Sequence, residues 1–178
     1  MRALKLDGRG ATLLRLAGAS IDMLVNASRD CDIARAGEAL ARLVGLGEGT
    51  TPAGDDYIVG HFTALWSCGG GNGARAKFVD RLGIQLKELA VRTRPLSRVY
   101  LEAAAEGEVS ERLTNLAAQI AAGAPSRAVI TAFAAAVAVG HSSGANGILG
   151  LLLGSAACGP GEIAPVSSVI PREAVKHT

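Results

Sequence analysis

Two adjacent acidic residues, Asp55 and Asp56, are the first candidates for chemistry in this sequence. Successive side chains of a helix point about 100° apart, so the two carboxylates cannot face one point equally. One of them could stabilise the start of a helix, while the other could bind a cation, orient a basic group or act as a general base. Acids in the first turn of a helix are also common stabilisers without any further role. Which carboxylate points inward is left open.

The segment in front of these acids, Gly45 to Gly54, has features of an anion site. Unpaired N–H groups and the dipole at a helix start attract anions, and glycine lets a ligand approach the backbone closely. Pro52 is expected at the first helical position with Thr51 as its N-cap. The segment lacks the Lys-Ser or Lys-Thr of a Walker A loop, and it does not follow a strand as a dinucleotide fingerprint would. The candidate substrate contacts are Gly49, Thr50, Thr51 and Gly54.

A second glycine-containing segment, Gly140 to Gly144, holds His141, Ser142 and Ser143. The histidine could titrate near neutral pH or ligate a metal, and the serines could contact a substrate or cap the next helix. A capping loop with a hydrogen-bonded histidine is the simpler interpretation. The spacing does not fit the G-x-S-x-G nucleophile turn.

Three arginines occur between Arg92 and Arg98, at the start of a predicted helix. Guanidinium groups bind phosphate and carboxylate through paired hydrogen bonds, so Arg94 and the nearby Ser97 are further candidates for anion binding. Solvated surface arginines are the alternative. His61 is poorly spaced to share a ligand with Asp56 and is interpreted as structural.

Composition excludes several classes of protein. The chain has 178 residues, is 49% hydrophobic and carries a net charge of +2, which does not indicate binding to nucleic acid or an anionic membrane. The three cysteines form no C-x-x-C pair, so we expect small buried thiols in a reducing compartment rather than a disulfide framework or a zinc site. No signal peptide is apparent, and the longest apolar tract, residues 132–139, is too short to cross a membrane. We expect a cytoplasmic protein.

Apolar residues recur with helical spacing along most of the chain. We predict one mainly α domain over residues 1–178, an irregular bundle of six or seven helices. Residues 1–29 are a weakly patterned lead-in, in which residues 11–16 could be a strand or a helix and residues 21–25 a strand. Residues 159–178 are predicted to be an extended tail. The expected helices are residues 33–44, 52–68, 74–91, 95–105, 110–122, 125–139 and 148–157.

Three blocks of this sequence together resemble the AllH-like family. The first is Gly45-Leu46-Gly47-x-Gly49-x-Thr51-Pro52-x-Gly54-Asp55-Asp56, which is similar to the glycine-rich signature of that family. The second is Thr93-x-Pro95-Leu96-Ser97 followed by Leu101-x-Ala103-Ala104-Ala105-x-Gly107. The third is residues 139–145 with Gly150-Leu151-Leu152-Leu153-Gly154. The resemblance spans roughly residues 40 to 155.

One member of that family is a subunit of oxamate carbamoyltransferase, an enzyme of anaerobic allantoin catabolism and thus of purine catabolism. The resemblance implies carbamoyl transfer between carbamoyl phosphate and a small oxamate-like acid, alongside other subunits. It implies catalytic roles for Asp55, Asp56 and His141. Segments near residues 50, 95 and 142 would then meet at one pocket. The implied substrate contacts are Gly49, Thr50, Thr51, Gly54, Arg94, Ser97, Ser142 and Ser143.

Two other functions remain open from the sequence. The chain could be a stand-alone all-α enzyme with Asp55 and Asp56 on Mg²⁺, which is the cofactor that this alternative requires. It could also be a non-catalytic scaffold subunit whose motifs cap helices. A homo-oligomer is compatible with each function.

Overall fold

The computed structural model of the protein describes residues 10–68, 73–138 and 143–159. Regular secondary structure in these ranges is entirely helical, which confirms the mainly α prediction. None of the helices is long and apolar enough to cross a membrane within the described ranges. The predicted tail lies outside them, apart from Gly159. The eight helices are α1 (Gly10–Asp30), α2 (Ile33–Leu43), α3 (Ala53–Cys68), α4 (Ala74–Ala90), α5 (Pro95–Ala105), α6 (Glu111–Ala121), α7 (Ser126–Val137) and α8 (Ser143–Cys158).

The prediction for the N-terminal segment was wrong where the structure describes it. Residues 10–30 form the helix α1, so residues 21–25 are not a strand and the bundle has one helix more than the upper estimate of seven. The apolar pattern of α1 is weak because its buried side includes small residues and because Leu16, a large apolar residue, is exposed. The buried side consists of Leu13, Ala17, Ile21, Leu24, Ala27 and Ser28.

Two parallel helices, α3 and α8, form the centre of the bundle. Their backbones touch, because a Cβ atom on Gly60 would lie 1.8 Å from the carbonyl oxygen of Gly147, and one on Gly150 would lie 2.0 Å from that of Tyr57. Glycine is the one residue that permits such an approach. The contact begins near the N-terminal ends of both helices and continues to Gly154, which faces α3 near its C-terminal half.

The other helices surround this pair in two groups. One hydrophobic core joins α1 to α5 with the end of α8, and a second joins α6, α7 and α8 to α3. Side chains such as Phe62 and Leu82 fill the first core, while Leu116 and Leu151 belong to the second. The helix α8 therefore contributes to both cores, and its start at Ser143, rather than at residue 148 as predicted, places that serine beside α3.

Two of the three cysteines are joined, contrary to the prediction of three unpaired thiols. Cys68 and Cys158 form a disulfide between the C-terminal ends of α3 and α8, and their Cα atoms are 6.0 Å apart. Cys31 is free and half-buried. Spacing could not reveal this pair because 90 residues separate the two cysteines along the chain. The prediction of a reducing compartment was based on unpaired thiols, so the disulfide removes its support.

The contact between α3 and α8 predicts that Gly150→Ala strongly destabilises the protein. The new Cβ would meet the Tyr57 carbonyl oxygen at 2.0 Å and the His61 nitrogen at 2.8 Å, and neither backbone can yield without moving a helix. We expect a loss of about 3 kcal/mol or more in the free energy of unfolding, measured with urea.

Gly18→Ala in α1 is the matched control, since a Cβ there meets nothing within 4 Å. This variant should be as stable as the parent or gain about 0.5–1 kcal/mol from lower entropy of the unfolded chain. Equal stability of the Gly18→Ala and Gly150→Ala variants would contradict the close contact.

Candidate functional site

The first of the paired acids, Asp55, is buried, and both of its carboxylate oxygens accept hydrogen bonds from other residues of the protein. Its Oδ1 atom accepts a hydrogen bond from the Gly45 N–H at 2.7 Å. Its Oδ2 atom accepts bonds from the hydroxyls of Ser97, at 2.6 Å, and Thr93. Three donors satisfy both oxygens of an acceptor-only group. Asp55 thus connects the loop before α3 to the start of α5, and it is not among the residues that line the cavity described below.

The glycines around Asp55 serve this local packing. Gly45 has a φ of +76°, a left-handed conformation that favours glycine and that accompanies its N–H bond to Asp55. A Cβ on Gly54 would lie 2.2 Å from the Leu43 carbonyl oxygen, so this predicted substrate contact instead packs against the end of α2. The helix begins at Ala53 rather than at Pro52, and Arg94 is the N-cap of α5.

The second acid, Asp56, lines a cavity. Its Oδ2 atom is buried and has no hydrogen-bond partner within the described ranges. Burial raises the pKa of the Asp56 carboxyl to about 7, and the neighbouring charge of Asp55 acts in the same direction. The hydroxyls of Ser143 and Thr51 lower this pKa but do not offset the burial. A carboxyl group with this pKa can both take up and release a proton near neutral pH.

Two hydroxyl groups beside Asp56 join the starts of α3 and α8. The Thr51 Oγ and Ser143 Oγ atoms are 2.8 Å apart, although 92 residues separate them along the chain. Both residues line the same cavity as Asp56. Residues predicted from two separate motifs, Thr51 and Asp56 from the first block and Ser143 from the third, therefore meet at one place, and Thr51 contacts Ser143 instead of capping α3.

The cavity has a volume of about 580 Å³ and is partly open to solvent. We call Asp56 and the two hydroxyls its floor, and we call the other lining residues, which come from α3, α5, α6, α7, α8 and the segment before α6, its wall. Most of the wall is apolar, including Val59 on α3 and Leu113 on α6. Leu96 and Tyr100 on α5 are about half exposed at 47% and 50%. The size falls within the range of pockets that hold small organic ligands.

Comparison with known proteins gives the family of this chain. The family model described as oxamate carbamoyltransferase subunit AllH matches residues 43–155, which is more than half of the sequence. The chain belongs to the AllH family. No curated protein and no solved structure matches it. The matched region contains Asp55, Asp56, Thr51, Ser143 and every residue that lines the cavity.

Several other residues proposed from the AllH resemblance lie elsewhere. Gly49 and Thr50 are exposed and do not line the cavity. Arg94 is exposed at the start of α5 and is also absent from the lining, while Ser97 is buried against Asp55. The predictions for His141 and Ser142 fall outside the described residues.

The cavity is also lined by three polar residues that the sequence did not indicate as site residues, although Ser110 was expected to cap its helix. Glu108, Ser110 and Arg112 line it at the start of α6. Arg112 is exposed and makes no ion pair with a described residue. The available signal was a serine N-cap followed two positions later by an arginine, but the arginine-rich segment near Arg94 was the stronger pattern.

The two aspartates of the AllH signature do not form a shared cation site. Both oxygens of Asp55 accept bonds from protein donors, which leaves Asp56 as the one free carboxyl group at this point. No group of three or more His, Cys, Asp or Glu side chains that could hold a metal occurs in the described part of the chain. The arrangement therefore gives no support to Mg²⁺ held by Asp55 and Asp56 together.

A second titratable group on α3 is fully buried. The His61 Nε2 atom is 2.9 Å from the Ser28 hydroxyl, and the ring stacks on Tyr57. Burial lowers the pKa of His61 to about 3, so the imidazole is neutral in the folded protein at ordinary pH. His61 thus has the surroundings of a core residue, as its interpretation from the sequence assumed.

The bonds to Asp55 predict that Asp55→Asn lowers stability. An amide group would turn two donor hydrogens toward the hydroxyl or N–H donors that now point at the carboxylate. We expect the free energy of unfolding to fall by about 2 kcal/mol or more, since a buried partner is left unsatisfied. Asp80→Asn, at an exposed position of α4, is the control and should change stability by less than about 0.5 kcal/mol. Equal effects of the two substitutions would contradict the structural role.

The pKa values of Asp56 and His61 predict opposing effects of pH on stability. The raised pKa of Asp56 makes the folded state bind a proton that the unfolded state has lost, so stability falls as pH rises from about 4 to 7. The lowered pKa of His61 has the reverse effect, because the unfolded state gains a proton first as pH falls from 6.5 towards 3. In the parent protein the two slopes oppose each other.

The Asp56→Asn variant should retain the His61 slope alone. Urea unfolding between pH 4.5 and 6.5 should therefore show a steeper loss of stability on acidification in this variant than in the parent. Parallel curves for the two proteins would show that Asp56 does not titrate with a raised pKa.

Proposed function

We propose that this chain is the subunit of an oxamate carbamoyltransferase-type complex that holds the acceptor acid, an oxamate-like molecule, beside Asp56. The observation that carries this proposal is the position of Asp56 on a cavity floor with a pKa raised to about 7. Membership of the AllH family supports the transfer reaction and the presence of other subunits. The role in purine catabolism that the resemblance implies belongs to the same proposal.

Asp56 suits the proton transfer that carbamoylation of an amide requires. In that reaction the amide nitrogen of the acceptor forms a bond to the carbamoyl carbon, the bond from that carbon to the phosphate oxygen breaks, and the nitrogen loses a proton. The ionised Asp56 carboxylate takes this proton. A general base works best when its pKa lies near the working pH, and a pKa of about 7 meets this condition.

The remaining polar groups of the cavity can position the acceptor. The hydroxyls of Thr51 and Ser143 can donate to its amide oxygen or accept from its amide N–H. Arg112 can pair with its carboxylate, since a guanidinium group forms two parallel hydrogen bonds to such a group. In this proposal Arg112 takes the role that the sequence suggested for Arg94.

The second substrate, carbamoyl phosphate, fits this cavity less well. Among the described residues that line it, the charged ones are Asp56, Glu108 and Arg112, so one cation of this part of the chain would face a highly charged phosphate group. Burying phosphate oxygens against an apolar wall without donors is costly. We therefore assign the phosphate-binding groups to another subunit of the complex.

The alternative function is that of a scaffold subunit that binds no ligand. The hydrogen bonds of Asp55 favour it. Asp55, the first acid of the signature, has a purely internal set of hydrogen bonds. The scaffold function requires that Asp56 also serve stability alone and that no acid bind at the cavity. Ligand titration separates the two functions.

The proposal predicts that oxamate binds the purified chain and that affinity falls as pH rises through about 7. Ionised Asp56 repels the carboxylate of the ligand, whereas the protonated form does not. Calorimetric titration at pH 6 and pH 8 measures this difference. The Asp56→Asn variant should bind with little dependence on pH, and absence of oxamate binding at both pH values would favour the scaffold.

Two arginine variants test which arginine binds the carboxylate of the bound oxamate. Arg112→Ala should weaken oxamate binding by about tenfold to a hundredfold, the usual effect of losing a charged hydrogen bond. Arg94→Ala is the matched control because Arg94 is exposed and does not line the cavity. A larger loss with Arg94→Ala than with Arg112→Ala would contradict the proposed orientation.

A further inference from the structure

We infer that the acid held beside Asp56 carries an apolar substituent, which the wall of the cavity receives. This inference rests on the proposed function, because it concerns the ligand of the same site. It goes beyond that function by naming a ligand class: an acid or amide with an attached alkyl or aryl group rather than oxamate itself.

The size of the cavity is the first observation. Its volume of about 580 Å³ suits a drug-sized ligand. Oxamate is one amide group joined to one carboxylate, so it would contact the floor and Arg112 and leave most of the apolar wall exposed to water. A second substrate does not account for the remaining space, because carbamoyl phosphate is too highly charged for an apolar wall.

The distribution of polarity is the second observation. The apolar wall begins directly beside the polar floor, since Val59 lies one helical turn after Asp56 on α3. Leu113 approaches the same place from α6, with its Cδ1 atom 3.3 Å from where a Cβ on Gly147 would lie. Leu96 and Tyr100, which are about half exposed, add to the wall from α5. A ligand that binds the floor through polar atoms therefore extends along carbon-rich surface.

One part of the wall belongs to a hydrophobic core. Leu113 and Ala136 are members of the core that joins α6, α7 and α8, and Val59 packs against it. Side chains in such a core are held in place by their neighbours, so this part of the wall is formed before a ligand arrives. A preformed apolar wall gives affinity to an apolar group because water is displaced without much reorganisation.

A series of ligands with increasing apolar length tests the inference on the full chain. Calorimetric titration compares oxamate, N-ethyl-oxamate, N-butyl-oxamate and N-phenyl-oxamate at pH 6. We expect affinity to rise along the alkyl series, with a limit of about threefold to fourfold for each buried methylene, and N-butyl-oxamate to bind at least about tenfold more tightly than oxamate. Equal or weaker binding of the longer compounds would overturn the inference while leaving oxamate binding, and so the proposed function, intact.

A matched pair of variants tests which side chains contact the alkyl group of the ligand. Leu96 lines the cavity, whereas Val99 on the same helix is exposed and does not line it. Leu96→Ser should reduce the advantage of N-butyl-oxamate over oxamate by about threefold or more, and Val99→Ser should leave this ratio unchanged. Both positions are at least 47% exposed, so neither substitution removes a buried core side chain. Equal changes with the two variants would overturn the assignment of the wall.

Hexanoate separates failure of the inference from failure of the proposed function. It has a carboxyl group and an alkyl chain but no amide. Binding of hexanoate as tight as that of N-butyl-oxamate would support the apolar wall and overturn the oxamate assignment. Absence of binding by every compound in the series would overturn both.

Discussion

The direct backbone contact between α3 and α8 is the constraint on which the rest of the structure depends. Gly60, Gly150 and Gly154 let the two helices lie closer than a side chain at these positions would allow. Because the helices are parallel, their N-terminal ends meet, and this brings the Thr51 and Ser143 hydroxyls to within 2.8 Å. The same contact brings Cys68 and Cys158 together at the opposite ends. The candidate site and the disulfide are thus two ends of one packing arrangement.

This close packing also explains why two titratable groups on α3 have such unusual pKa values. Asp56 and His61 are both kept from water, and burial disfavours the charged form of each. For an acid the pKa rises, and for a base it falls, so one physical cause has opposite consequences for the effect of pH on stability. His61 is neutral and does not line the cavity, whereas Asp56 lines it and has a pKa raised to about 7.

The sequence predicted most of the helices but not the relations between distant segments. Helices α4 and α5 were predicted within one residue, since their apolar period and their Gly and Pro boundaries are local signals. Helix α1 was missed because small residues such as Ala17 weaken the contrast between its two sides. The disulfide and the lining role of Arg112 were missed for another reason. Both depend on which helices become neighbours, and no local pattern contains that information.

The two aspartates show how a helix can give identical neighbours different roles. A rotation of about 100° separates them, so when one carboxylate points to the interior the other must point away from the same donors. Asp55 takes all three donors at this place, and Asp56 keeps a buried oxygen without a partner. The anchoring of Asp55 fixes the first turn of α3, and a fixed first turn holds Asp56 in a position that would otherwise be unfavourable for a carboxyl group. In this adjacent pair, Asp55 anchors the helix through its hydrogen bonds, and Asp56 therefore stays free of protein donors at the oxygen that a ligand could use.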